Sequence, residues 1–325
     1  MKAAVHRRYG SPDVVTIDEL PKPAPRDDEV LIRVHAATVG IVDSLARRGT
    51  PAYARLYFGL RRPRLAVLGS DFAGQVEATG PAVTRFAAGD QVFGTVGPHF
   101  GAHAEYVCLS EQAAVAAKPA NLAYPEAAAL VDGTALCFLR DKANLRRGQT
   151  IVINGASGAV GSTAVQLAKH FGAIVTGVCS GPNTELVRKL GADAVVDYTA
   201  ADFARAGQTY DVIFDVAGKS SFSRCRPALN RAGIYLTTAP SPAILLQMPR
   251  TARYGSRKAV VAFTGLRPAS EKRKDLRYLT ELAESAALAP VIDARYPLQR
   301  IADAYRQVDA GHKRGNVVVT MTGHQ

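Results

Sequence analysis

Cysteine is scarce. The 325-residue chain has four, Cys108, Cys137, Cys179 and Cys225, and no two of them form a C-x-x-C pair. That spacing points to neither a zinc cage nor a disulfide framework. Long apolar runs are missing as well. No stretch of eighteen apolar residues occurs, and no long apolar leader precedes the strand-like start Met1–His6. A helical membrane insertion is therefore not expected, and a soluble, cytoplasmic protein is. Acidic residues are in deficit, 28 against 40 Lys and Arg, for a formal charge of +12. The basic residues are scattered, with small clusters at Arg61–Arg64, Arg146–Arg147, Lys272–Lys274 and Lys313–Arg314. No nucleic-acid motif accompanies them, so a solvated basic surface is expected rather than a nucleic-acid partner. No Ser-His-Asp or Cys-His constellation is visible, which leaves nucleophilic catalysis without support. His99 and His103 have an i, i+4 spacing, but Gly97 and Gly101 argue for a loop and no third ligand is apparent. No metal site is expected.

What is present begins with size. A chain of this length holds two domains and a large core. Its 47% hydrophobic and 21% charged residues suit a globular protein. The most informative stretch is Thr150–Gly172, TIVINGASGAVGSTAVQLAKHFG. Ile151, Val152 and Ile153 form a short apolar run of parallel-strand type. Gly155, Gly158 and Gly161 follow at three-residue spacing. Val160, Ala164, Leu167, Ala168 and Phe171 then repeat with helical period, and Gly172 stands where a helix stop is expected. Strand, glycine turn and helix start together make an anion site. Backbone N–H groups at a helix start lack internal partners and carry partial positive charge, and a pyrophosphate satisfies them where no side chain intervenes. The strict fingerprint is G-x-G-x-x-G; here Ala156 takes its first glycine position, preceded by Gly155.

The end of the next strand, Ile174–Cys179, bears on cofactor choice. An NAD site usually places Asp or Glu there to hold the ribose hydroxyls. This chain has Ser180-Gly181-Pro182-Asn183 instead, and its first acid, Glu185, falls in the next predicted helix. Ser180 and Asn183 offer hydrogen bonds to a 2′-phosphate, and Arg188 or Lys189 offers charge. NADP(H) is thus favoured over NAD(H).

Residues 1–122 read as β-rich, with strands predicted at Val30–Ala37, Ala73–Ala78, Gln91–Gly94 and Ala104–Leu109 between glycine and proline turns. The pattern suggests a partly open, barrel-like antiparallel unit. Residues 123–264 alternate strand and helix. Strands are predicted at Ile151–Asn154, Ile174–Cys179, Ala194–Asp197, Val212–Val216, Ile234–Thr238 and Val260–Phe263. Helices are predicted at Ala159–Phe171, Glu185–Leu190 and Phe222–Leu229, and Pro240, Pro242 and Pro249 interrupt the run before the last strand. Such alternation predicts an α/β, doubly wound parallel sheet. In the tail, 265–325, Leu276, Leu279, Leu282, Ala283 and Ala286 form one helical stripe. Ile301, Ala304, Tyr305 and Val308 form another, stopped near Gly311, and Val317–Met321 reads as a strand. A tail of this kind is expected to complete the first domain, with the second inserted.

Several segments, taken in order, resemble the medium-chain dehydrogenase/reductase superfamily in its zinc-independent quinone oxidoreductase-like branch. They are Gly69-Ser70-Asp71-Phe72-Ala73-Gly74, Gly101-Ala102-His103-Ala104-Glu105-Tyr106-Val107 and the block Asn154 to Gly161. Leu190-Gly191-Ala192-Asp193 running into Val196-Asp197-Tyr198, and Gly315-Asn316-Val317-Val318, add to them. The resemblance covers nearly the whole chain. It implies a GroES-like β-rich catalytic domain plus a Rossmann domain, a cleft site between them and commonly a homodimer. Zinc-dependent alcohol dehydrogenases of the superfamily carry a cysteine ligand, a G-H-E segment and a four-cysteine lobe. This chain reads Gly40-Ile41-Val42-Asp43 and Gly69-Ser70-Asp71 at the first two and lacks the lobe. Many relatives also have V-N-P-x-D at positions 39–43, where this chain keeps only the Val39 and Asp43 ends.

The resemblance assigns Gly155, Ser157, Gly158, Ala159 and Val160 to the pyrophosphate, and Ser180 and Asn183 to the 2′-phosphate. Tyr198 is assigned to the adenosine phosphate end, Thr134 to the nicotinamide ribose, and Asn316 to closure over the cofactor from the tail. Ala217 and Gly218 end the fourth strand on the ligand side of the sheet. On the substrate side, Tyr53 and Tyr57 in Thr50–Pro63 are read as pocket-forming or as a surface helix packed on the core, and Gly40 and Asp71 are pocket candidates. Asp43 is the catalytic candidate, with bonding of turn amides as its alternative role. The expected reaction is NADPH-dependent hydride transfer to an activated alkene, quinone or carbonyl of a small molecule. The alternatives are an alcohol dehydrogenase working in the oxidative direction and a catalytically weak NADPH-binding or regulatory protein.

Overall fold

The computed structural model describes residues 1–131 and 133–321. Asp132 and residues 322–325, the last of the expected tail, lie outside the described residues. The chain divides into two compact units, Met1–Val131 with Gly265–Gln325, and Asp132–Thr264. The first boundary falls after Val131 rather than after 122. The helix Tyr124–Leu130 buries Ala127, Ala128 and Leu130 and packs on strands of the first unit, which carries it to that side.

The strands run in chain order as β1 (Lys2–His6), β2 (Val15–Glu19), β3 (Glu29–Val39), β4 (Asp71–Thr79), β5 (Gln91–Thr95), β6 (Tyr106–Ser110) and β7 (Ala114–Ala117). The second unit holds β8 (Thr150–Asn154), β9 (Ile174–Cys179), β10 (Ala194–Asp197), β11 (Tyr210–Asp215), β12 (Leu229–Thr237) and β13 (Lys258–Val261), and the tail adds β14 (Ile292–Pro297) and β15 (Asn316–Thr320).

In the first unit β1 and β2 form an antiparallel hairpin, and a larger sheet follows the order β14-β15-β3-β4-β5-β7 with β6 also paired to β3. The tail enters through β15, antiparallel to β3, with Val317 opposite Val39 and Val319 opposite Ala37. Alternate strand residues Val30, Ile32 and Val34 point into one core with Phe72, Val76, Val92 and Val115. The helix Ile301–Ala310 closes it with Ile301, Ala304, Tyr305 and Val308, the predicted stripe, and stops at Gly311. Helix Ala269–Glu284 likewise buries Leu276, Leu279, Leu282 and Ala283. Ala286, expected in that stripe, is exposed beyond the helix end at φ 57°.

The second unit is a six-stranded parallel sheet in the order β10-β9-β8-β11-β12-β13. Its central strands are covered on both faces: Ile151, Val152, Ile153, Ile213 and Phe214 have no exposed surface. That is why they read as unbroken apolar runs. Helix Ala159–His170 connects β8 to β9 in the predicted place. A helix that was not predicted from the sequence also forms here. Pro242–Tyr254 forms where the prolines suggested only interruption. Pro242 occupies the first turn, where its missing N–H loses nothing, and the Ser241 hydroxyl caps the start by accepting from the Ile244 amide at 3.3 Å. Pro249 lies inside the helix.

A buried histidine in the first unit makes stability pH-dependent. His6 is buried in β1 with Nδ1 3.0 Å from the Ala66 carbonyl. Burial lowers its pKa from 6.5; the Ala66 carbonyl opposes this and the charges of Arg47 and His103 add to it. The unfolded chain therefore takes up this proton first as pH falls. The contribution is complete above pH 6.5 and is lost as pH falls through the lowered folded value. His6→Gln is expected to be less stable than wild type at pH 7.5, with the gap narrowing below pH 6.5. Urea denaturation across that range checks it, and a gap independent of pH would contradict it.

Candidate functional site

The second unit's site is built on the turn after β8. The amides of Gly155 and Ala156 both donate to the Val178 carbonyl of β9 at 3.0 Å, which pins the turn across the two strands. Gly155 sits at φ +91°, a conformation side chains rarely adopt. Gly161 is required for a different reason: a Cβ there would lie 2.0 Å from the Gly155 carbonyl oxygen, so only glycine lets the helix seat on the turn. Gly158 has neither need. Its φ of −77° is ordinary, and an added Cβ would meet nothing closer than 3.5 Å. No side chain caps the helix start there. The chain's own packing thus gives no reason for glycine at 158, whereas a diphosphate approaching the amides at Ala159 and Val160 does. The residues fit a dinucleotide.

Beside this turn the structure gathers three of the predicted residues. The Asn183 amide donates to the Ser157 hydroxyl at 3.2 Å and to the Ser180 hydroxyl at 3.1 Å. Asn183 is buried, so its amide orients the two serines. Tyr198 stands past β10 with half its surface exposed. Of the two expected cations, Lys189 is paired with Glu185 at 2.7 Å on the exposed face of helix Thr184–Lys189, and Arg188 is exposed. The structure also adds a carboxylate that the linear reading of the second strand missed. Asp197 ends β10 opposite Cys179 and accepts from the Thr199 amide at 2.9 Å and hydroxyl at 2.7 Å. The Thr199 amide foremost, then its hydroxyl, with the Gly181 amide adding, holds Asp197 below the usual carboxylate range. A Cβ on Gly181 would stand 2.8 Å from this carboxylate.

On the other side of β8, Ala217 is exposed and its amide donates to the Asn154 carbonyl at 3.1 Å, with Gly218 following. Asn154 and Asp215, the last residues of β8 and β11, are hydrogen-bonded to each other at 2.8 Å. Neither was a predicted site residue; the available signal was a polar residue ending an apolar strand. Thr134 shares a hydroxyl contact of 3.2 Å with Thr264.

The first unit contains the remaining residues. Gly40 caps helix Ile41–Arg48, and its amide donates to Asp43 Oδ2 at 2.7 Å. Asp43 Oδ1 accepts from the Gly69 amide at 3.1 Å. The carboxylate is 1% exposed. Burial pushes its pKa up, while the His103 ring foremost and the Gly40 and Gly69 amides pull it down. Asp43 therefore ties the helix start to the Gly69-Ser70-Asp71 segment. Its two oxygens meet backbone amides, which is the alternative role weighed from the sequence. His103 is buried beneath it, with Nε2 2.9 Å from the Thr38 carbonyl and Nδ1 3.3 Å from the Tyr305 hydroxyl. Asp71 opens β4 and lies in the field of Lys272, a half-buried residue of helix Ala269–Glu284 that the sequence reading counted only as surface charge. Lys272 Nζ donates to the Gly265 carbonyl at 2.6 Å. Thr50–Pro63 is neither a plain loop nor one helix but two short turns, Ala52–Ala54 and Arg55–Phe58. Tyr53 and Tyr57 are largely exposed, while Phe58 packs edge-on to Phe100. Asn316 is also used internally: its side-chain amide donates to the carbonyls of Ala129 at 3.3 Å and Val291 at 3.2 Å.

Comparison with known proteins agrees with the fold of the two units. Residues 26–120 match the alcohol dehydrogenase GroES-like domain, and residues 190–319 match a zinc-binding dehydrogenase family. The chain is 32% identical over 332 residues to the chloroplastic quinone-oxidoreductase homolog of Spinacia oleracea, covering 98% of both. It belongs to the medium-chain dehydrogenase/reductase superfamily, in its quinone oxidoreductase-like branch. The chloroplastic NADPH-dependent alkenal/one oxidoreductase of Arabidopsis thaliana is also 32% identical, over 98% of this chain and 79% of its own. Among solved structures, the quinone oxidoreductase of Coxiella burnetii superposes with a TM-score of 0.87 at 28% identity over 99% of both chains. This superfamily member is an NAD(P)H-dependent oxidoreductase with a GroES-like and a Rossmann unit. Among the described residues no helix is long and apolar enough to cross a membrane, and no three His, Cys, Asp or Glu side chains are grouped to hold a metal ion.

Proposed function

We propose that the protein carries hydride from NADPH to an activated alkene, quinone or carbonyl of a small molecule, without zinc. The observation that carries this is the glycine at 158, unexplained by packing and set before uncapped helix amides. When bound, the cofactor supplies the hydride at its nicotinamide ring. The chain's own part is to hold the diphosphate on the amides of Ala159 and Val160 and to orient Ser157 and Ser180 through Asn183. Asp43 acts as a positioning residue that holds Gly40 and Gly69, the latter two positions before the other substrate-side candidate, Asp71. The zinc-free reading rests on residue identity: Gly40 through Asp43 includes no cysteine, and Ser70 replaces the histidine of G-H-E.

The preference for NADPH is supported by the missing carboxylate on β9 and by the Ser180 hydroxyl at its end. Asp197, reaching in from β10, works against it. Calorimetric titration separates the two: NADPH is expected to bind at least about tenfold more tightly than NADH, since hydrogen bonds to a charged 2′-phosphate each contribute about 1.5 kcal/mol or more. Equal affinities would end the preference, and no binding of either would end the oxidoreductase reading.

Self-association is part of the same proposal. Among the described residues β13 pairs on one side only, with β12, and the neighbouring helix Pro242–Tyr254 exposes Leu246 and Tyr254. An open strand edge beside apolar side chains favours a second copy. Light scattering that finds only monomer would exclude it. The four free cysteines, three of them buried, suit a reducing compartment such as the cytoplasm.

A further inference from the structure

Asp215 is a fully buried carboxylate to which the reaction outlined above gives no task. Three donors converge on it from three places. The Asn154 side-chain amide reaches Oδ1 at 2.8 Å, and the Tyr235 hydroxyl and the Ser220 amide both reach Oδ2 at 2.9 Å. Asn154 ends β8, Asp215 ends β11 and Tyr235 lies in β12, so the cluster ties together the carboxyl ends of three adjacent parallel strands. It also fixes the turn Val216–Ser220 at both ends. The Val216 and Ala217 amides donate to the Asn154 carbonyl at 3.0 and 3.1 Å, the Thr238 hydroxyl donates to the Val216 carbonyl at 3.1 Å, and the Ser220 amide closes on Asp215. What the turn presents outward is Ala217 and Lys219. A Cβ on Gly155 would lie only 3.1 Å from Ala217, so this turn stands directly against the phosphate turn.

The strand order states which part of a ligand meets it. In β10-β9-β8-β11-β12-β13 the direction of winding reverses at β8. A dinucleotide lies across such a reversal with one mononucleotide on each side. The serines and Asn183 occupy the β9 side, where the ribose-recognition position falls, which leaves the β11–β12 side for the nicotinamide half. We infer that Asp215 is a positioning residue for the nicotinamide half of the cofactor, holding the 216–220 turn at a fixed height over the strand ends. The inference rests on the dinucleotide reading of the site. Burying a carboxylate is costly unless every lone pair is served. Three converging donors are what a turn held to a fraction of an ångström requires, and such a cluster fails as a unit when one member is removed.

The test compares NADPH with ADP, which carries the adenosine half and the diphosphate alone. Binding is measured by calorimetry for wild type, Asp215→Asn and Tyr235→Phe, with melting temperatures recorded for each. Asp215→Asn turns one acceptor into a donor facing donors. Tyr235→Phe removes a single hydrogen bond and keeps the ring, so it guards against a variant that does not fold. The Kd for NADPH is expected to rise about tenfold in each variant while that for ADP stays within about twofold, the size of effect one hydrogen bond to a charged group commands. Unchanged NADPH affinity in Tyr235→Phe, or equal losses for NADPH and ADP, would overturn the inference while leaving the dinucleotide site intact. Failure of wild type to bind either ligand would instead overturn the site itself, and this inference with it.

Discussion

Gly158→Asp is expected to eliminate dinucleotide binding without weakening the fold. Gly158 has an extended backbone with φ −77° and ψ 179°, open to any residue, and its added Cβ finds only the Gly155 carbonyl at 3.5 Å. Aspartate is among the best residues at a helix N-cap, so the melting temperature should hold or rise slightly. The same carboxylate, however, takes the helix-start amides that the diphosphate needs and places a negative charge against it. At about 4 Å and an effective dielectric near 20, that repulsion is about 4 kcal/mol. Even a partial share raises the Kd for NADPH roughly a hundredfold or more. Gly161→Ala is the contrasting substitution. Its Cβ would meet the Gly155 carbonyl oxygen at 2.0 Å and the Ala156 Cα at 2.9 Å, both backbone atoms that cannot step aside. It should lose about 3 kcal/mol of stability. Calorimetry and thermal melts on the two variants therefore give opposite pairs of results. A Gly158→Asp protein that binds NADPH like wild type would show that the diphosphate does not sit on this helix start.

Asp43→Ala carries the second large effect, and it falls on stability first. The substitution strips a charged acceptor from the Gly40 and Gly69 amides. Leaving buried donors unpaired costs about 1–3 kcal/mol each, so a loss of about 4 kcal/mol is expected on urea denaturation. Asp43→Asn should not rescue it, because one of its two terminal groups becomes an N–H donor facing an amide donor. A residue that relayed protons would behave differently: stability would hold, while the rate fell and the pH–rate profile lost a limb. Buried at 1% exposure, Asp43 has little contact with solvent, which favours the first outcome. If both variants keep their melting temperatures, the positioning role is wrong.

The residues that were legible in the chain are those whose task is local. Gly155, Gly158 and Gly161 announce a turn and a helix start because strand, turn and helix are contiguous. Leu276, Leu279 and Leu282 announce a buried helical face because a helix repeats over a few residues. Asn183 was legible as polar and near the site, but not as the group that orients Ser157 and Ser180, since that depends on how β8 and β9 lie side by side. The helix Pro242–Tyr254 was obscured because proline at a first turn and proline as a breaker look alike in sequence.

From the sequence alone came the parallel α/β pattern, the glycine turn after β8, the branch of the superfamily and the return of the tail to the first unit. These rest on periodicity and on contiguous motifs, which survive without knowing what lies across the sheet. Tertiary structure alone decided that Asp43 serves two backbone amides, that Asp197 reaches Gly181 from the neighbouring strand and that Asn154, Asp215 and Tyr235 form one cluster. The Asp43–Gly40 contact aside, these join residues 16 to 61 positions apart. Only the register of strands brings their polar atoms within 3 Å or so, and the burial that gives such contacts their strength exists only once the sheets have formed.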